Sequence, residues 1–325
     1  KGTVLETITT RVHIFGAGLA GLAAAVRCLE TDLRVTVYEA ANHAGGRCRS
    51  FHDTALDKVI DNGNHLIFGG NDAVFEYLRA IGADHKLQLA ANTFPFIDLK
   101  SGESWALRPG SAKFPLWILF PNRRIPGTNL KDYAFIRKIL TVSTDTVLTD
   151  HINSNNMMFK RFWEPLCTAV LNTDANEGSV KLMARMLELT FLRGPKFVRP
   201  FLTPDGLSAT LVDPAIDYII QRGGQIRFGE RLRSIEVSRT RAESLVVGNQ
   251  EFELAKTDHI LLALPPSEVA TLVPELTVPT ETKPIINVHF RLNNCPSLPY
   301  DSHFVGVING ISQWVFQRKD ILSVT

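Results

Sequence analysis

Residues 12–29 read VHIFGAGLAGLAAAVRCL, and residues 34–39 read RVTVYE. The first run begins as a short apolar strand, continues through a GxGxxG motif and ends in residues that favour a helix. The second run is typical of a buried strand and ends on an acidic residue. A strand, a glycine loop, a helix, a second strand and an acid in this order predict a Rossmann-type βαβ unit that binds a dinucleotide.

Each position of the glycine motif has its own task. Gly16 permits the tight turn after the strand, Gly18 lets the backbone approach a pyrophosphate, and Gly21 lets the helix pack on the strand. The next helix offers free N–H groups and a partial positive charge at its N-terminus, which places Leu19 and Ala20 beside the pyrophosphate. A glycine loop that occurs by chance is disfavoured, because every other part of the unit is present.

The residues that follow the second strand distinguish between dinucleotides. Glu39 is placed to accept hydrogen bonds from ribose hydroxyls, next to Ala40, and its charge would repel the 2′-phosphate of NADP. Gly45 and Gly46 then offer backbone N–H groups, and Arg47 adds a guanidinium. Together they can form a second contact with a phosphate group. An NAD dehydrogenase has no need of this turn, so the sequence predicts FAD. The extended motif resembles the FAD-binding superfamily of amine oxidases and phytoene desaturases.

Composition sets the limits of what the chain can be. Its 325 residues suffice for two domains, and a net charge of +2 gives no electrostatic basis for nucleic-acid binding. The cysteines lie far apart without a CxxC pair, which favours reduced thiols in a cytoplasmic protein and predicts neither a disulfide framework nor a metal site. We find no signal peptide and no apolar run long enough to span a membrane. The cysteines are Cys28, Cys48, Cys167 and Cys295.

The rest of the chain predicts a second, mixed domain inserted into the first. Strands are expected at residues 66–68, 94–99, 104–107, 285–292 and 304–308, at two positions within 225–235, and in a hairpin that ends at 258–264. Helices are expected at residues 72–81, 131–148, 156–170, 179–191 and 207–222. The predicted domain limits are residues 1–75 and 204–270 for FAD binding, and 76–203 and 271–325 for substrate binding.

Five stretches together resemble one branch of the superfamily, the FAD-dependent hydroxysqualene dehydroxylases of bacterial hopanoid biosynthesis. They are DNGNH at 61–65, FWEPLCTAVLNT at 162–173, PDGLS at 204–208, LLALPP at 261–266 and GISQWVFQR at 310–318. Asn64 departs from the glutamine that is more usual there, and the C-terminal FAD segment of the family has no counterpart before Thr325, so we expect the chain to be incomplete. The resemblance implies an α/β fold, with a Rossmann-like FAD-binding domain and an inserted α+β substrate domain.

The same resemblance implies the reduction of hydroxysqualene to squalene by reduced FAD. The substrate alcohol must be protonated as its C–O bond breaks, and Glu164, His65 and Asn64 are the candidate catalytic residues. Glu164 could instead pair with Arg161 or cap a helix, and the turn at residues 61–65 could be purely structural.

Further roles follow from the resemblance. Gly63 and Asn64 are expected beside the isoalloxazine ring, and the backbone at Leu232 beside the adenine. Aromatic faces stabilise a carbocation without attacking it, so Trp163, Trp314 and Phe316 are candidates for the substrate pocket. Large aromatic residues are equally often core residues.

A C30 polyprenyl substrate dissolves in bilayers, so we expect peripheral contact with the cytoplasmic membrane. Residues 113–124, KFPLWILFPNRR, combine a short apolar run with flanking cations and suit that contact, although a buried segment with solvated ends would look similar. Association with squalene-pathway synthases and an external electron donor is also expected. A carotenoid-type desaturase is the nearest alternative, followed by an amine oxidase and by a non-catalytic FAD-binding protein.

Overall fold

The computed structural model describes residues 10–31, 33–109 and 116–325. The strands are β1 (Arg11–Phe15), β2 (Arg34–Glu39), β3 (Ser50–Asp53), β4 (Lys58–Asp61), β5 (Ile67–Phe68), β6 (Gln88–Leu89), β7 (Phe94–Asp98), β8 (Ser104–Leu107), β9 (Pro200–Leu202), β10 (Gln225–Phe228), β11 (Leu232–Val237), β12 (Ala242–Val247), β13 (Gln250–Glu253), β14 (His259–Leu262), β15 (Val288–Arg291), β16 (Phe304–Ile308), β17 (Trp314–Arg318) and β18 (Ile321–Val324). The α-helices are α1 (Leu19–Leu29), α2 (Asp72–Ala80), α3 (Leu130–Tyr133), α4 (Phe135–Leu140), α5 (Glu164–Leu171), α6 (Val180–Leu189), α7 (Pro195–Val198), α8 (Asp213–Gln221) and α9 (Pro266–Leu272).

The described residues divide into two compact units, each built from three separate stretches of chain. The first unit contains the residues up to Asn62, Ala73–Leu87 and Asp205–Thr282, and the second contains Gly63–Asp72, Gln88–Pro204 and Lys283–Thr325. The predicted domain limits differ from these units mainly between residues 63 and 87. The assignment of FAD binding to one unit and of substrate binding to the other stays a prediction.

The first unit is built on a parallel sheet with the strand order β10–β2–β1–β14. Helix α1 connects β1 to β2 and packs against β2 and α8. Ile14, Val37 and Leu22 are fully buried between these elements. A parallel sheet needs cover on both faces, which explains why β1 and β2 are apolar almost throughout. An antiparallel sheet of β11, β12 and β13 packs its inner side chains against Phe15 and Tyr38.

The second unit is built on a sheet with the strand order β15–β18–β17–β16–β7–β8. Its pairs are antiparallel except for β16 and β7, which run parallel. Aromatic side chains of β7, β8 and β16 form one core with residues from the helical segments between 125 and 198, among them Trp163, Met158 and Leu148. A small sheet, β5–β9–β6, completes the unit.

The predicted helix over residues 131–148 is wrong. The structure has α3 and α4 there, and α4 ends at Leu140. The next residues are TVSTDT, whose Ser, Thr and Asp side chains compete for backbone hydrogen bonds and whose β-branched residues lose side-chain freedom in a helix. The weak helix propensity of this run outweighs its apolar spacing.

Two predicted helices begin with a π-helical turn. The turns are Phe159–Trp163 before α5 and Ser208–Val212 before α8, and each helix has a proline in its first turn. Pro165 and Pro214 cannot donate to the carbonyl four residues earlier, so the ordinary helical bond is lost where each turn widens.

Candidate active site

Two of the three glycines of the motif, Gly16 and Gly21, are sterically required by the protein itself. Gly16 has φ +103°, and a Cβ there would overlap the carbonyl oxygen of Ala263. A Cβ on Gly21 would overlap the carbonyl oxygen of Gly16. A Cβ on Gly18, in contrast, would meet no atom within 4 Å. The loop is therefore closed on its protein side and open above Gly18, which fits the close approach of a pyrophosphate.

Helix α1 begins inside the glycine motif, at Leu19, with Gly18 as its N-cap. The first intrahelical bond runs from the N–H of Leu22 to the carbonyl of Gly18. The N–H groups of Leu19 and Ala20 therefore point out of the helix end, where Ala20 is exposed. The first turn carries no acidic side chain that would compete for these donors. This helix end fits an anion.

Glu39 accepts two backbone hydrogen bonds that the sequence does not predict. One of its carboxylate oxygens accepts a hydrogen bond from the N–H of Ala17 at 2.8 Å, and the other accepts from the N–H of Ala41 at 2.9 Å. The side chain thereby ties the glycine loop to the end of β2. Each oxygen keeps a lone pair for a ribose hydroxyl, so the ribose contact stays compatible with this arrangement. The adjacent Ala40 is exposed.

The second glycine pair packs directly on the first loop. Gly45 and Gly46 have φ values of +99° and +53°, and the N–H of Gly45 donates to the carbonyl of Ala17 at 2.8 Å. Arg47 is exposed and accepts a hydrogen bond at its carbonyl from the side chain of Asn62. These groups fit the predicted phosphate contacts of FAD.

Leu232, the remaining predicted FAD contact of this unit, is 8% exposed and packs in the core with Phe15 and Tyr38. Leu232 is also paired with Val247 of β12, and the adenine contact of its backbone stays a prediction.

Two rows of side chains cross one face of the large sheet in the second unit. Paired residues of neighbouring strands point to the same face, so the strand register defines both rows. Row one is Trp105, Phe96, Gly306, Trp314, Thr325 and Asn287, and row two is Leu107, Phe94, Phe304, Phe316, Ser323 and His289. Each row is apolar from β8 to β17 and polar from β18 to its end beside β15.

The apolar parts of the rows are joined by ring contacts. In row two, Phe304 lies 6.0 Å from Phe94 and 6.0 Å from Phe316, measured between ring centroids. In row one, the rings of Phe96 and Trp314 lie 5.8 Å apart although the strand between them carries Gly306. The missing side chain at Gly306 lets these rings meet across it. Trp314 and Phe316 are half-buried, so the structure places these two predicted pocket residues side by side at the border of the aromatic surface.

The polar parts of the rows hold a hydrogen-bonded cluster. The side-chain amide of Asn64 donates to the hydroxyl of Thr325 at 2.9 Å and to the side-chain oxygen of Asn287 at 3.3 Å. The Thr325 hydroxyl donates to the same Asn287 oxygen at 2.9 Å. Next to them, Nδ1 of His289 lies 2.6 Å from the Ser323 hydroxyl.

Sequence reasoning found Asn64 but missed its partners. Asn287 and His289 alternate with apolar residues in NVHFR, as Ser323 and Thr325 do in ILSVT. This alternation was the available signal. His65 is exposed, and the Cβ position of Gly63 lies between Nε2 of His65 at 3.7 Å and Nδ2 of Asn287 at 3.6 Å.

Trp163 and Glu164 are neighbours in sequence but differ in setting. Trp163 is 1% exposed and packs edge-on against Phe135 and Phe162, with ring centroids 5.4 and 4.9 Å away. It is a core residue, and a contact with substrate stays a prediction. Glu164 lies at the start of α5 and is exposed in part. Partial burial of its carboxyl and the nearby charge of Asp174 raise the pKa of Glu164 above the ordinary value.

Arg161 is not the partner of Glu164. It donates to the carboxylate of Glu103 at 2.5 Å and to the carbonyl of Pro126, and its guanidinium lies over the ring of Trp105. The pairing of Glu164 with Arg161 considered above is therefore wrong. The charge of Lys160 acts on the Glu164 carboxyl instead, and Glu164 lies in the first turn of α5.

Within the described residues, no helix combines the length and apolar character needed to cross a membrane. Those residues also contain no cluster of three or more His, Cys, Asp or Glu side chains arranged to hold a metal ion.

Known proteins confirm the fold and the family. Residues 19–318 match the family described as flavin containing amine oxidoreductase. A hydroxysqualene dehydroxylase from Rhodopseudomonas palustris is 40% identical over 316 residues, which are 97% of this chain and 75% of that protein. A probable zeta-carotene desaturase from Synechococcus elongatus is more distant, at 27% identity over 82% of this chain and 60% of that protein. The crystal structure of an oxidoreductase from Methanosarcina mazei has the same fold, with a TM-score of 0.72 at 16% identity over 97% of this chain and 78% of that one.

These matches agree with a glycine loop, a helix end and a carboxylate that together fit FAD, which confirms FAD as the cofactor. The chain belongs to the flavin-containing amine oxidoreductases and, within them, to the hydroxysqualene dehydroxylases, and is an FAD-dependent oxidoreductase.

Proposed function

We propose that this chain converts hydroxysqualene to squalene in the biosynthesis of squalene and hopanoids. The substrate alcohol and reduced FAD give squalene, water and oxidised FAD. The observation that carries the proposal is the 40% identity to a hydroxysqualene dehydroxylase along 97% of the chain. The distant similarity to a carotene desaturase gives no comparable support to the opposite reaction.

The chemistry requires an acid and a dry, apolar surface. Hydroxide leaves poorly, so the alcohol oxygen must gain a proton as the C–O bond breaks. The allylic cation that results would recapture water in an open site. Bound FAD, when reduced, supplies the hydride that ends the reaction. The aromatic rings of Trp314 and Phe316 provide cation-stabilising faces that cannot act as nucleophiles.

Glu164 and His65 are our candidates for the acid. The raised pKa of Glu164 keeps its carboxyl protonated to a higher pH than an ordinary carboxyl, as a proton donor requires. His65 lies on the exposed turn beside Asn64, whose amide is hydrogen-bonded to Thr325 and Asn287. Loss of turnover in Glu164→Gln with normal FAD binding would support Glu164, and full turnover would exclude it.

We also propose that the protein docks on the cytoplasmic face of the membrane to collect its substrate. Of the segment 113–124, residues 113–115 lie outside the described residues. In the remainder, Leu116, Leu119 and Phe120 are each more than half exposed on consecutive short turns, and Arg123 and Arg124 follow. Exposed apolar side chains beside cations match the interface of an anionic bilayer.

Vesicle flotation tests this docking. The triple variant Leu116→Ser, Leu119→Ser, Phe120→Ser is expected to lose binding to anionic vesicles, whereas Leu182→Ser is expected to bind as the wild type does, because Leu182 is equally exposed but lies on α6. Equal binding by all three proteins would refute this surface. Squalene-pathway synthases and an external reductant of FAD are the further partners that this activity implies.

The reaction itself is tested by anaerobic incubation of the dithionite-reduced enzyme with hydroxysqualene. Flavin absorbance and extracted lipid are followed together. We expect one squalene per oxidised flavin. No squalene, combined with flavin bleaching when the oxidised enzyme meets a saturated polyprene, would instead establish a desaturase.

A further inference from the structure

The polar end of the two rows contrasts with the surface to which it is attached. From β8 to β16, the rows carry Trp105, Phe96, Leu107, Phe94 and Phe304, all buried. On β17 they become half-buried with Trp314 and Phe316, and on β18 and β15 they are polar and still half-buried. One continuous face thus runs from the buried core of the unit, through the half-buried rings of Trp314 and Phe316, to a half-buried polar cluster.

Strand β15 exposes two apolar side chains on one face, Val288 and Phe290, at 46% and 49% exposure. On its other face Arg291 is exposed, whereas the polar side chains of Asn287 and His289 are half-buried. Antiparallel sheets usually bury the apolar face and expose the polar one. Placing polar groups on the less exposed face carries a desolvation cost, which the hydrogen bonds of Asn287 and His289 offset.

We propose that this polar end binds the hydroxyl group of the substrate, and that His289, in place of Glu164 or His65, delivers through Ser323 the proton that releases it as water. The inference rests on the proposed function and names the part of the chain that would carry out its first step. The ligand is a long hydrocarbon with one hydroxyl group, and the half-buried rings of Trp314 and Phe316 offer apolar contacts to the hydrocarbon next to that hydroxyl.

The geometry suits a proton relay. Ser323 lies next to the ring of Phe316 in row two, so its hydroxyl faces the position where the aromatic surface ends. Nδ1 of His289 is 2.6 Å from the same hydroxyl. Protonated His289 donates to the oxygen of Ser323 while the Ser323 hydrogen passes to the substrate oxygen. The C–O bond then breaks, and the products of this step are water, the allylic cation and neutral His289.

The cluster of Asn64, Asn287 and Thr325 holds the adjoining strands in place and offers further polar atoms beside the hydroxyl. Ser323 is the catalytic residue in this scheme because it touches the reacting oxygen, and His289 is a positioning residue that acts through it. The two roles predict different effects of mutation.

Binding by the oxidised holoenzyme tests the site without turnover. The ligands are a saturated C30 alcohol and the corresponding saturated C30 hydrocarbon, and binding is followed by tryptophan fluorescence. Loss of one neutral hydrogen bond predicts that Ser323→Ala binds the alcohol about tenfold more weakly and the hydrocarbon unchanged. His289→Gln keeps a hydrogen-bonding group beside Ser323, so we expect its alcohol affinity within about twofold of wild type and its kcat lowered by about 100-fold.

Matched controls lie on the opposite face of the same sheet. Ser104→Ala on β8 and His303→Gln before β16 change exposed residues of the same types, and both are expected to match the wild type. Equal weakening of both ligands in Ser323→Ala, or no change in either, would overturn the inference, as would a wild-type kcat in His289→Gln. Failure of the proposed function looks different, because the wild type itself would then neither prefer the alcohol nor convert hydroxysqualene.

Discussion

Replacing Glu39 with alanine should destabilise the protein even without its cofactor. The carboxylate accepts hydrogen bonds from the N–H of Ala17 at 2.8 Å and of Ala41 at 2.9 Å. Ala17 is fully buried, so its donor finds no water in the variant. A hydrogen bond to a charged group contributes about 1.5–3 kcal/mol, and a buried donor left without an acceptor costs about 1–3 kcal/mol.

The two donors contribute unequally. Ala41 is half-buried, and its N–H regains a water molecule when the carboxylate is lost, so most of the cost comes from Ala17. We expect Glu39→Ala to lower the free energy of unfolding of FAD-free protein by about 2–4 kcal/mol. The assay is urea unfolding followed by circular dichroism, with FAD affinity measured separately by flavin fluorescence.

A control separates this effect from a general loss of charge. Glu30 lies in the same unit and pairs with Arg27 at 2.9 Å on the surface, where such pairs contribute about 0–1 kcal/mol. Glu30→Ala should therefore unfold close to the wild type. If FAD-free Glu39→Ala also unfolds like the wild type while its FAD affinity falls, Glu39 acts on the ribose alone and the loop-organising role is wrong.

Three further changes have defined outcomes. Gly306→Ala places a Cβ 2.5 Å from Cδ1 of Phe96, and should cost about 1–3 kcal/mol of stability and alter the near-UV circular dichroism; an unchanged melting temperature would contradict the ring contact. Burial and the charge of Asp174 raise the pKa of Glu164, so the folded state binds this proton more tightly and loses stability as pH rises above about 4, the ordinary pKa of Glu. Glu164→Gln lacks that loss, so its melting temperature should gain on the wild type as pH rises above about 4, and a constant difference would refute the shift. Cys167 is fully buried, and burial raises its pKa to about 11, so it should react with a thiol reagent near pH 8 only after unfolding; rapid labelling of the native protein would contradict its burial.

The FAD-binding loop could be predicted from sequence because its parts are local. Gly16, Gly18 and Gly21 lie in the loop after β1 and in the first turn of α1, and Glu39 follows at the end of β2. The hydrogen bond from the N–H of Ala17 to Glu39 could not be predicted from the sequence. It depends on the conformation of the Glu39 side chain at the end of β2.

The polar cluster was beyond sequence reasoning for a different reason. Asn64 finds its partners at positions 223 and 261 residues further along the chain. The register that aligns Phe96 with Gly306 and Gly306 with Trp314 is likewise set by pairing between distant strands. Alternation within each strand shows which residues share a face, but not which strands become neighbours.

The pairing of β1 with both β2 and β14 determines when the parallel sheet can be completed during synthesis of the chain. Strand β2 follows β1 closely in the chain, whereas β14 begins at His259, after the ribosome has also synthesised most of the second unit. Until then, one edge of β1 has no strand to pair with, and apolar residues such as Val12 and Ile14 lack part of their cover. Unpaired apolar edges promote aggregation, and pairing across a long stretch of chain is slow. A lower temperature during expression weakens the apolar contacts through which this exposed edge would aggregate, and should therefore raise the soluble yield.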